Sequence, residues 1–273
     1  MPTATINGIT INYETAGTGE PLLLVMGLGG SLNGWRKQVP ALSERFRVIY
    51  FDNRGVGLSS APHEIEAYSM EQFAADAVGL LDHLDIEQAH VWGVSMGGMI
   101  AQHIALNHPG RVRGLVLGCT LPHYEPEPQP GDERAPEPWV LELMLSGMTK
   151  SREQSIRDSV LFNFAPEFVE RRPEIVEEYI SEGLRQEMAL HGYLGQWNAI
   201  TRHNTLEHLH SLTHPTLVQH GDRDKLVPIA NGRLLAESLP NARFQLIQGS
   251  GHVYFLEQFE LVNAAVAEFL QTL

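Results

Sequence analysis

The hydrophobic positions of the chain fall into short apolar runs separated by longer segments of helical spacing. The first stretch, ATINGITINYETAG, instead alternates around Asn7-Gly8, a dipeptide typical of tight hairpin turns. We therefore expect two antiparallel strands at the start. Further nearly continuous apolar runs are typical of strands covered on both faces. They are PLLLVMG (21–27), RVIYFDN (47–53), HVWGVS (90–95), RVRGLVLG (111–118), HPTLVQHG (214–221) and ARFQLIQG (242–249).

Segments with apolar residues at helical spacing lie between these runs. SMEQFAADAVGLLDHL (69–84) begins with Ser69, a residue that can cap a helix, and FLEQFELVNAAVAEFL (255–270) has the same spacing near the C-terminus. Repeated alternation of strand and helix favours an α/β fold. The pattern predicts a doubly wound, mostly parallel sheet of about eight strands.

The region 121–211 departs from this alternation because it contains no strand-like run. It begins with the Pro-rich, acidic stretch PHYEPEPQPGDERAPEP and continues with helix-like stretches such as WVLELMLSGM and SREQSIRDSVLFNF. A structureless loop of this length is rare in a compact domain, so we expect a helical cap inserted after the sixth strand. The predicted domains are a core of residues 1–120 and 212–273 and a cap of residues 121–211.

Composition and charge exclude several classes of protein. The 273 residues are 43% hydrophobic and 19% charged, which is typical of a globular chain. A formal net charge of −14, with no run of lysine or arginine, argues against nucleic acid as a partner. No apolar run approaches the ~18 residues of a membrane span, and the first residues do not resemble a signal peptide. We expect a cytoplasmic protein that does not bind membranes, either a monomer or a homodimer.

The patterns of cysteine, histidine and glycine indicate neither a metal site nor a cofactor site. The single cysteine, Cys119, excludes an internal disulfide, and its apolar surroundings predict a buried, inert thiol. The histidines of TRHNTLEHLHSLTH (201–214) lack metal-site spacing and are interpreted as structural. Neither GLGG nor GVG opens a helix with an acidic residue about twenty positions later, as a dinucleotide site requires. We expect no metal and no cofactor.

One strand-like run ends in a serine that lies between glycines, Gly93-Val94-Ser95-Met96-Gly97. Glycine weakens a strand unless the backbone there needs an unusual conformation. The stretch MIAQHIALNH that follows has helical spacing, so the pattern predicts a strand, a sharp turn and a helix. This arrangement puts a serine hydroxyl at the top of the sheet, beside a helix N-terminus that favours negative charge. Because a helix cap alone needs no flanking glycines, we interpret Ser95 as a nucleophile.

Three motifs together resemble the α/β-hydrolase superfamily, and the resemblance extends over nearly the whole chain. They are GVSMGG, FDNRGVGLSS (51–60), which is similar to the D-x-R-G-x-G-x-S turn, and MGLGGSLNGW (26–35), which is similar to the H-G-x-G-x-S loop. In this chain Met26 replaces the histidine that often braces that loop. Within the turn, Asp52, Arg54 and Ser59 are expected to brace the backbone rather than contact substrate.

The resemblance implies a catalytic acid and base that follow Ser95 in the order Asp, His. The family pattern G-x-x-D-x-x-x-P falls on QHGDRDKLVPI (219–229) and selects Asp224 as the acid. The G-H pair of GSGHVYFLEQ (249–258) supplies His252 as the base. Asp222 is the alternative acid, and otherwise it is a turn residue.

The resemblance also implies a reaction, and the layout is most similar to carboxylesterases and 3-oxoadipate enol-lactonase-like enzymes. Such a serine hydrolase cleaves a small carboxylic ester or lactone through an acyl-enzyme, and the backbone N–H groups of Leu28 and Met96 form its oxyanion hole. Candidate substrate-binding side chains are Trp139, Phe162, Tyr193, Trp197 and Val253. The alternatives are an enol-lactone hydrolase of aromatic catabolism, a cofactor-free haloperoxidase or perhydrolase, a C–C bond hydrolase and a hydrolytic small-ligand receptor. Epoxide hydrolases and haloalkane dehalogenases are disfavoured, since they have aspartate at the position of Ser95.

Overall fold

The computed structural model describes residues 2–273, except for the side chain of residue 148. Its strands are β1 (Thr3–Ile6), β2 (Ile9–Ala16), β3 (Glu20–Val25), β4 (Phe46–Phe51), β5 (Ala89–Val94), β6 (Val112–Gly118), β7 (Thr216–Gly221) and β8 (Ala242–Ile247). Within the described residues, eight strands form one sheet in the order β1-β2-β4-β3-β5-β6-β7-β8. β2 is antiparallel to β1 and β4, and all other neighbours are parallel. The predicted, mostly parallel sheet is confirmed.

The hairpin predicted at Asn7-Gly8 is present between β1 and β2. Asn7 and Gly8 have φ angles of 50° and 80°. Two positive φ angles are what a two-residue turn needs to match the right-handed twist of its strands. Ile6 and Ile9 pair directly across the turn, so the local pattern sets the register of the hairpin.

The helices lie between strands and in the region 121–211. They are α1 (Val39–Leu42), α2 (Met70–His83), α3 (Met96–Asn107), α4 (Pro138–Ser146), α5 (Arg152–Asn163), α6 (Pro166–Arg171), α7 (Pro173–Arg185), α8 (Leu190–Thr201), α9 (Ile229–Ser238), α10 (Tyr254–Glu257) and α11 (Phe259–Gln271). As predicted, Ser69 caps α2, since its hydroxyl accepts a hydrogen bond from the Gln72 N–H (3.2 Å). Across residues 2–273, no helix has the length and hydropathy needed to cross a membrane.

The single helix predicted over 255–270 is wrong, because the backbone breaks at Gln258. This residue has φ −125° and ψ 47° and separates α10 from α11. Its amide Nε2 donates to the Gln248 carbonyl oxygen (2.6 Å) and to Ser250 Oγ (2.8 Å). These partners, ten and eight positions earlier, hold a bend that the apolar spacing, which continues across it, does not reveal.

Helices α4 to α8 all lie between β6 and β7, which confirms a helical insertion after the sixth strand. Residues 121–211, called the insertion below, contain no strand in the part of the chain described here. Their two ends run side by side through a β-bridge between His123 and Asn204. The Thr205 N–H also donates to the Pro122 carbonyl oxygen (2.8 Å). The division into core and cap domains stays a prediction.

Apolar side chains cover both faces of the sheet. In β3, Leu23 and Val25 belong to a cluster with residues of α2 and α3. Leu22 and Leu24 face the opposite way, into a cluster with residues of α11. All four side chains are fully buried. Burial on both faces explains why the strand sequences are continuous apolar runs rather than alternating ones.

The turn formed by residues 51–60 is braced by its own polar side chains, as expected. The Asp52 carboxylate accepts hydrogen bonds from the Leu32 N–H (2.7 Å) and the Leu58 N–H (3.0 Å). The Ser59 hydroxyl donates to the Asp52 carbonyl oxygen (2.6 Å). These bonds join the turn to the loop that follows β3.

Arg54 forms a buried, two-pronged ion pair with Asp76 of α2. Its Nε lies 2.6 Å from Asp76 Oδ2 and its Nη2 lies 2.8 Å from Asp76 Oδ1. The side chains are 4% and 2% exposed. Asp76 Oδ1 also accepts a hydrogen bond from Asn7 Nδ2 (2.9 Å). One carboxylate therefore links the turn, α2 and the first hairpin.

Replacement of Asp76 by alanine should lower the free energy of unfolding by about 3–5 kcal/mol, because it leaves Arg54 buried without a counter-charge. The matched control is Asp82→Ala on the same helix. Asp82 pairs with Arg111 but is 64% exposed, so its loss should cost about 1 kcal/mol or less. Urea denaturation followed by circular dichroism measures both, and equal effects would contradict the importance of the buried pair.

Candidate active site

Ser95 occupies a strained turn between β5 and α3. Its φ of 55° and ψ of −124° lie outside the regions that L-residues favour. The Ser95 N–H donates to the Gly118 carbonyl oxygen (2.8 Å), which holds the turn. A Cβ on Gly93 would overlap the Gly97 carbonyl, and one on Gly97 would overlap that of Val25. The flanking glycines are thus required by the close approach of β3, β5 and α3.

The Ser95 side chain does not act as a helix cap. Among the described residues, its hydroxyl accepts no hydrogen bond from the first turn of α3. The hydroxyl instead lines a cavity of about 690 Å³ above the sheet, and His252 lines the same cavity. No hydrogen bond within residues 2–273 joins Ser95 Oγ to His252. The side chain is therefore accessible to a molecule bound in the cavity.

Asp224 and His252 are in direct contact. The distance between Asp224 Oδ2 and His252 Nδ1 is 2.8 Å. Asp224 lies in the loop after β7, where its Oδ1 accepts hydrogen bonds from the N–H groups of Leu226 (3.0 Å) and Val227 (2.9 Å). Both side chains are buried. The carboxylate is fixed by its own loop and presents its second oxygen to the imidazole.

A second histidine, His220, also contacts Asp224, at the same carboxylate oxygen as His252. Its Nε2 is 3.3 Å from Asp224 Oδ2 and 2.7 Å from the Val227 carbonyl oxygen. Burial raises the pKa of Asp224, but the charge of His252 and the hydrogen bonds from both histidines outweigh it and lower the pKa to about 2. Asp224 is therefore ionised at neutral pH. His220 lies at the end of an apolar strand and carries no signal in the sequence that distinguishes it as part of a site.

Asp222, the alternative acid, braces a different loop. Its Oδ1 accepts a hydrogen bond from the Gly249 N–H (2.6 Å). The structure thus brings Asp224, and not Asp222, to His252. This division of roles matches the interpretation of Asp222 as a turn residue.

Four of the five candidate substrate-binding residues line the cavity, namely Phe162, Tyr193, Trp197 and Val253. Trp139, the fifth, is not among the residues that line it. Its indole N–H donates to Glu137 Oε2 (3.0 Å), and Lys225 Nζ lies 5.4 Å from its ring centroid. Trp139 is on α4, and other residues of that helix, Leu141 and Leu143, face the cavity instead. Which face of α4 points inward depends on how the insertion packs, which helical spacing does not determine.

The backbone N–H groups of Leu28 and Met96 have no intramolecular acceptor within the described residues. Met96 is the first residue of α3, and the first N–H groups of a helix have no partner inside it. Leu28 lies in the loop after β3, beside the cavity. Leu28 thus presents an unpaired N–H beside the cavity, whereas Met96 is fully buried and is not among the residues that line it.

Two glutamines near the end of the insertion hold the loop around Leu28. Gln196 Oε1 accepts a hydrogen bond from the Gly29 N–H (2.8 Å), and Gln186 Oε1 accepts one from the Ser31 N–H (3.0 Å). Gln196 is fully buried. Neither glutamine is recognisable from the sequence, since each contacts a partner more than a hundred positions away. The loop is therefore positioned from the insertion as well as from the sheet.

Met26 fills the place where the family often has histidine. Its side chain packs against Gly30 and Gly34, where an added Cβ would overlap it. The Met26 carbonyl oxygen accepts a hydrogen bond from Asn53 Nδ2 (2.9 Å). Apolar packing and glutamine amides thus brace the loop in the absence of an imidazole.

Cys119 is buried as predicted, and burial raises the pKa of its thiol well above the ordinary value. Two of the four histidines of the stretch 201–214 contact the backbone: His203 Nε2 lies 3.1 Å from the Leu121 carbonyl oxygen and His214 Nε2 lies 2.9 Å from that of Pro109. Burial lowers the pKa of His203 to about 3. Among the described residues, no group of three or more His, Cys, Asp or Glu is arranged to hold a metal ion.

Known proteins resemble the chain over most of its length. The profile of the alpha/beta hydrolase fold matches residues 20–259. The chain is 30% identical to 3-oxoadipate enol-lactonase 2 of Acinetobacter baylyi, over 97% of this chain and 94% of that protein. It is 33% identical to a poly(3-hydroxyalkanoate) depolymerase of Ectopseudomonas oleovorans, over 92% of this chain and 84% of that protein.

The fold is also similar to that of a solved structure. The enol-lactonase from Burkholderia xenovorans LB400 superposes with a TM-score of 0.86 and 27% identity, over 99% of this chain and 100% of that one. The chain therefore belongs to the α/β-hydrolase fold family.

Proposed function

We propose that this protein is a serine hydrolase that cleaves carboxylic esters or lactones, with Ser95 as nucleophile, His252 as base and Asp224 as the acid that orients it. The observation that carries the proposal is the 2.8 Å contact of Asp224 Oδ2 with His252 Nδ1, at a cavity that Ser95 also lines. Enol-lactonases among the relatives support it, since a lactone is a cyclic ester.

The proposed mechanism follows from the positions of the protons. Ionised Asp224 accepts the Nδ1–H of His252 and so leaves Nε2 free to take the proton of Ser95 when substrate binds. The Ser95 oxygen then attacks the carbonyl carbon and forms a tetrahedral oxyanion. The imidazolium returns its proton to the leaving alcohol, and an acyl-enzyme results. Water, activated by the same imidazole, releases the acid.

The oxyanion is proposed to bind the backbone N–H groups of Leu28 and Met96. Both donors lack another acceptor in the described residues, so the oxyanion would not have to displace an internal hydrogen bond. The contacts of Gln186 and Gln196 with the loop hold the Leu28 donor in place before substrate arrives. A preorganised donor of this kind typically contributes about 3 kcal/mol to transition-state binding.

The cavity supports a neutral substrate with an apolar chain, larger than the small ester expected from the sequence. About 690 Å³ lies well inside the ~300–1,000 Å³ typical of ligand sites. The lining is largely apolar and includes Met26, Met99, Leu143, Ile156, Phe162 and Trp197. The basic side chains that border the cavity each contact an acceptor on the protein: Arg36 with Glu178, Arg134 with Asp132, Lys150 with Asp158 and Arg152 with the Gly183 carbonyl. A free carboxylate on the substrate would compete with these partners, except at Arg36, whose Nη2 has no hydrogen-bond partner among the described residues.

Removal of the nucleophile tests the proposal directly. Ser95→Ala and Ser95→Gly should both lower kcat by about 10⁶-fold, because the members of a triad act together. Glycine adopts the backbone angles of Ser95 without strain. The free energy of unfolding of Ser95→Gly should therefore exceed that of Ser95→Ala by about 1–3 kcal/mol, and Ser95→Gly should unfold at a higher temperature. Kinetics and thermal melts of purified variants measure both effects. Retention of most activity in either variant would end the serine-hydrolase proposal.

A paired substitution tests which carboxylate acts as the acid. Asp224→Asn should lower kcat by about 10⁴-fold, since an amide offers His252 a donor where it needs an acceptor. Asp222→Asn should change the rate by about tenfold or less, because asparagine can still accept the Gly249 hydrogen bond. Both variants are assayed with one activated ester at about pH 8, where an acid with a pKa near 2 is ionised. The reverse ranking would make Asp222 the acid.

Chain length tests the substrate class. With p-nitrophenyl esters of increasing length, kcat/KM should rise by up to about fourfold per methylene until the cavity is full. An ester of equal length that ends in a carboxylate should react more slowly. Leu143→Trp should shift the optimum to shorter chains, whereas Leu145→Trp should not, because Leu145 is 49% exposed and lies outside the lining.

Steady turnover of the same esters distinguishes an enzyme from a hydrolytic receptor, which would stop after one hydrolysis event.

A further inference from the structure

A buried carboxylate, Glu257, lies at the end of α10 and has no part in the mechanism above. It is 5% exposed. Its Oε1 accepts two backbone hydrogen bonds, from the Gly251 N–H (2.8 Å) and from the Ala165 N–H (3.2 Å). Its Oε2 has no hydrogen-bond partner among the described residues. The first bond is to the residue before His252, and the second is to the joint between α5 and α6 of the insertion.

The backbone on the other side of His252 is also held by the insertion. The Val253 N–H donates to the Asn163 carbonyl oxygen (3.0 Å). The contact is tight, since a Cβ on Gly251 would lie only 2.6 Å from that same oxygen. Both N–H groups that flank His252 are thus tied to the α5–α6 joint, one directly and one through Glu257. Asp224 fixes the ring, but these contacts fix the loop that carries it.

We propose that Glu257 is a positioning residue that, when ionised, holds the His252 loop against the insertion in the arrangement that proton transfer needs. The inference rests on the proposed role of His252 as the base. A glutamine would accept the same two hydrogen bonds without burying a charge. What the carboxylate adds is negative charge beside the loop of His252, which strengthens both bonds and favours the imidazolium formed during catalysis.

The surroundings of Glu257 make its charge depend on pH near neutrality. Burial raises the pKa of Glu257 to about 7, against the lowering effect of the Gly251 and Ala165 N–H groups. Of the charged groups around it, Asp224 from the loop after β7 raises the pKa and Arg171 from α6 lowers it. Below this pH the carboxyl is neutral and its two hydrogen bonds weaken. Activity should then fall on acidification for a reason separate from protonation of His252.

The kinetic test measures kcat/KM for a neutral ester as the pH is lowered. The informative part of this pH profile is its acid limb, where kcat/KM falls. In the wild-type protein, protonation of Glu257 should lower kcat/KM about tenfold in addition to the loss caused by protonation of His252, so the limb should be steeper than a slope of one over about one pH unit below pH 7. Glu257→Gln should show a slope of one and, at about pH 8, a kcat about tenfold lower with little change in KM. Glu257→Asp keeps an ionisable group and should keep the steeper limb. Glu260→Gln, at an exposed position on α11, should behave as wild type.

A second readout does not require activity. Because the pKa of Glu257 in the folded protein exceeds its ordinary value of 4.5, the folded state binds this proton more tightly than the unfolded state. Wild-type stability therefore decreases as pH rises between these values, and the loss is complete above about pH 7. Glu257→Gln does not have this loss. The Tm of the variant minus the Tm of the wild type should therefore increase as the pH is raised from about 5 to about 8.

The outcomes separate this inference from the proposed function. A one-proton limb in the wild type, full kcat in Glu257→Gln, or a Tm difference that is constant with pH overturns the role of Glu257 and leaves the hydrolase proposal intact. Absence of Ser95-dependent hydrolysis at every pH overturns both. If Glu257→Gln does not fold, the wild-type limb and Glu257→Asp still decide the question.

Discussion

The strained backbone at Ser95 is the constraint on which the site depends. A residue with positive φ in a sharp turn costs about 1–3 kcal/mol and persists only where its surroundings leave no alternative. Here β3, β5 and α3 approach so closely that side chains at Gly93 and Gly97 would overlap backbone carbonyls. The packed sheet, buried on both faces, supplies the stability that offsets this cost. The serine hydroxyl consequently leaves the sheet toward the cavity.

Parallel topology collects the other groups at the same edge. The loops that follow β3, β5, β7 and β8 carry Leu28, Ser95, Asp224 and His252, respectively. Since the carboxyl ends of neighbouring parallel strands share one edge, residues far apart in sequence become neighbours there. Each loop also has its own bracing, such as the two N–H groups that fix Asp224 Oδ1. The site is therefore held in place before substrate binds.

The insertion does not only cover the cavity; it also holds two loops of the site in place. Gln186 and Gln196 hold the loop that carries Leu28, and the α5–α6 joint holds the backbone on both sides of His252. These contacts run from the insertion to the loop that carries Leu28 and to the loop that carries His252. Movement of the insertion would thus displace the loops that carry Leu28 and His252. Substrate binding in the cavity would then be coupled to the alignment of these two residues for the proposed reaction.

The sequence by itself determined the features that depend on neighbours in the chain. Asn7-Gly8 specifies its hairpin because two positive φ angles suffice, and the glycines around Ser95 reveal the sharp turn for a similar reason. Family spacing distinguished Asp224 from Asp222. Only the tertiary structure decided that Trp139 faces away from the cavity, that the C-terminal helix breaks at Gln258, and that His220, Gln186, Gln196 and Glu257 brace the site. The partners lie four to ten positions away for His220 and Gln258 and more than a hundred away for the two glutamines, and hydrophobic periodicity carries no information about such hydrogen bonds and packing.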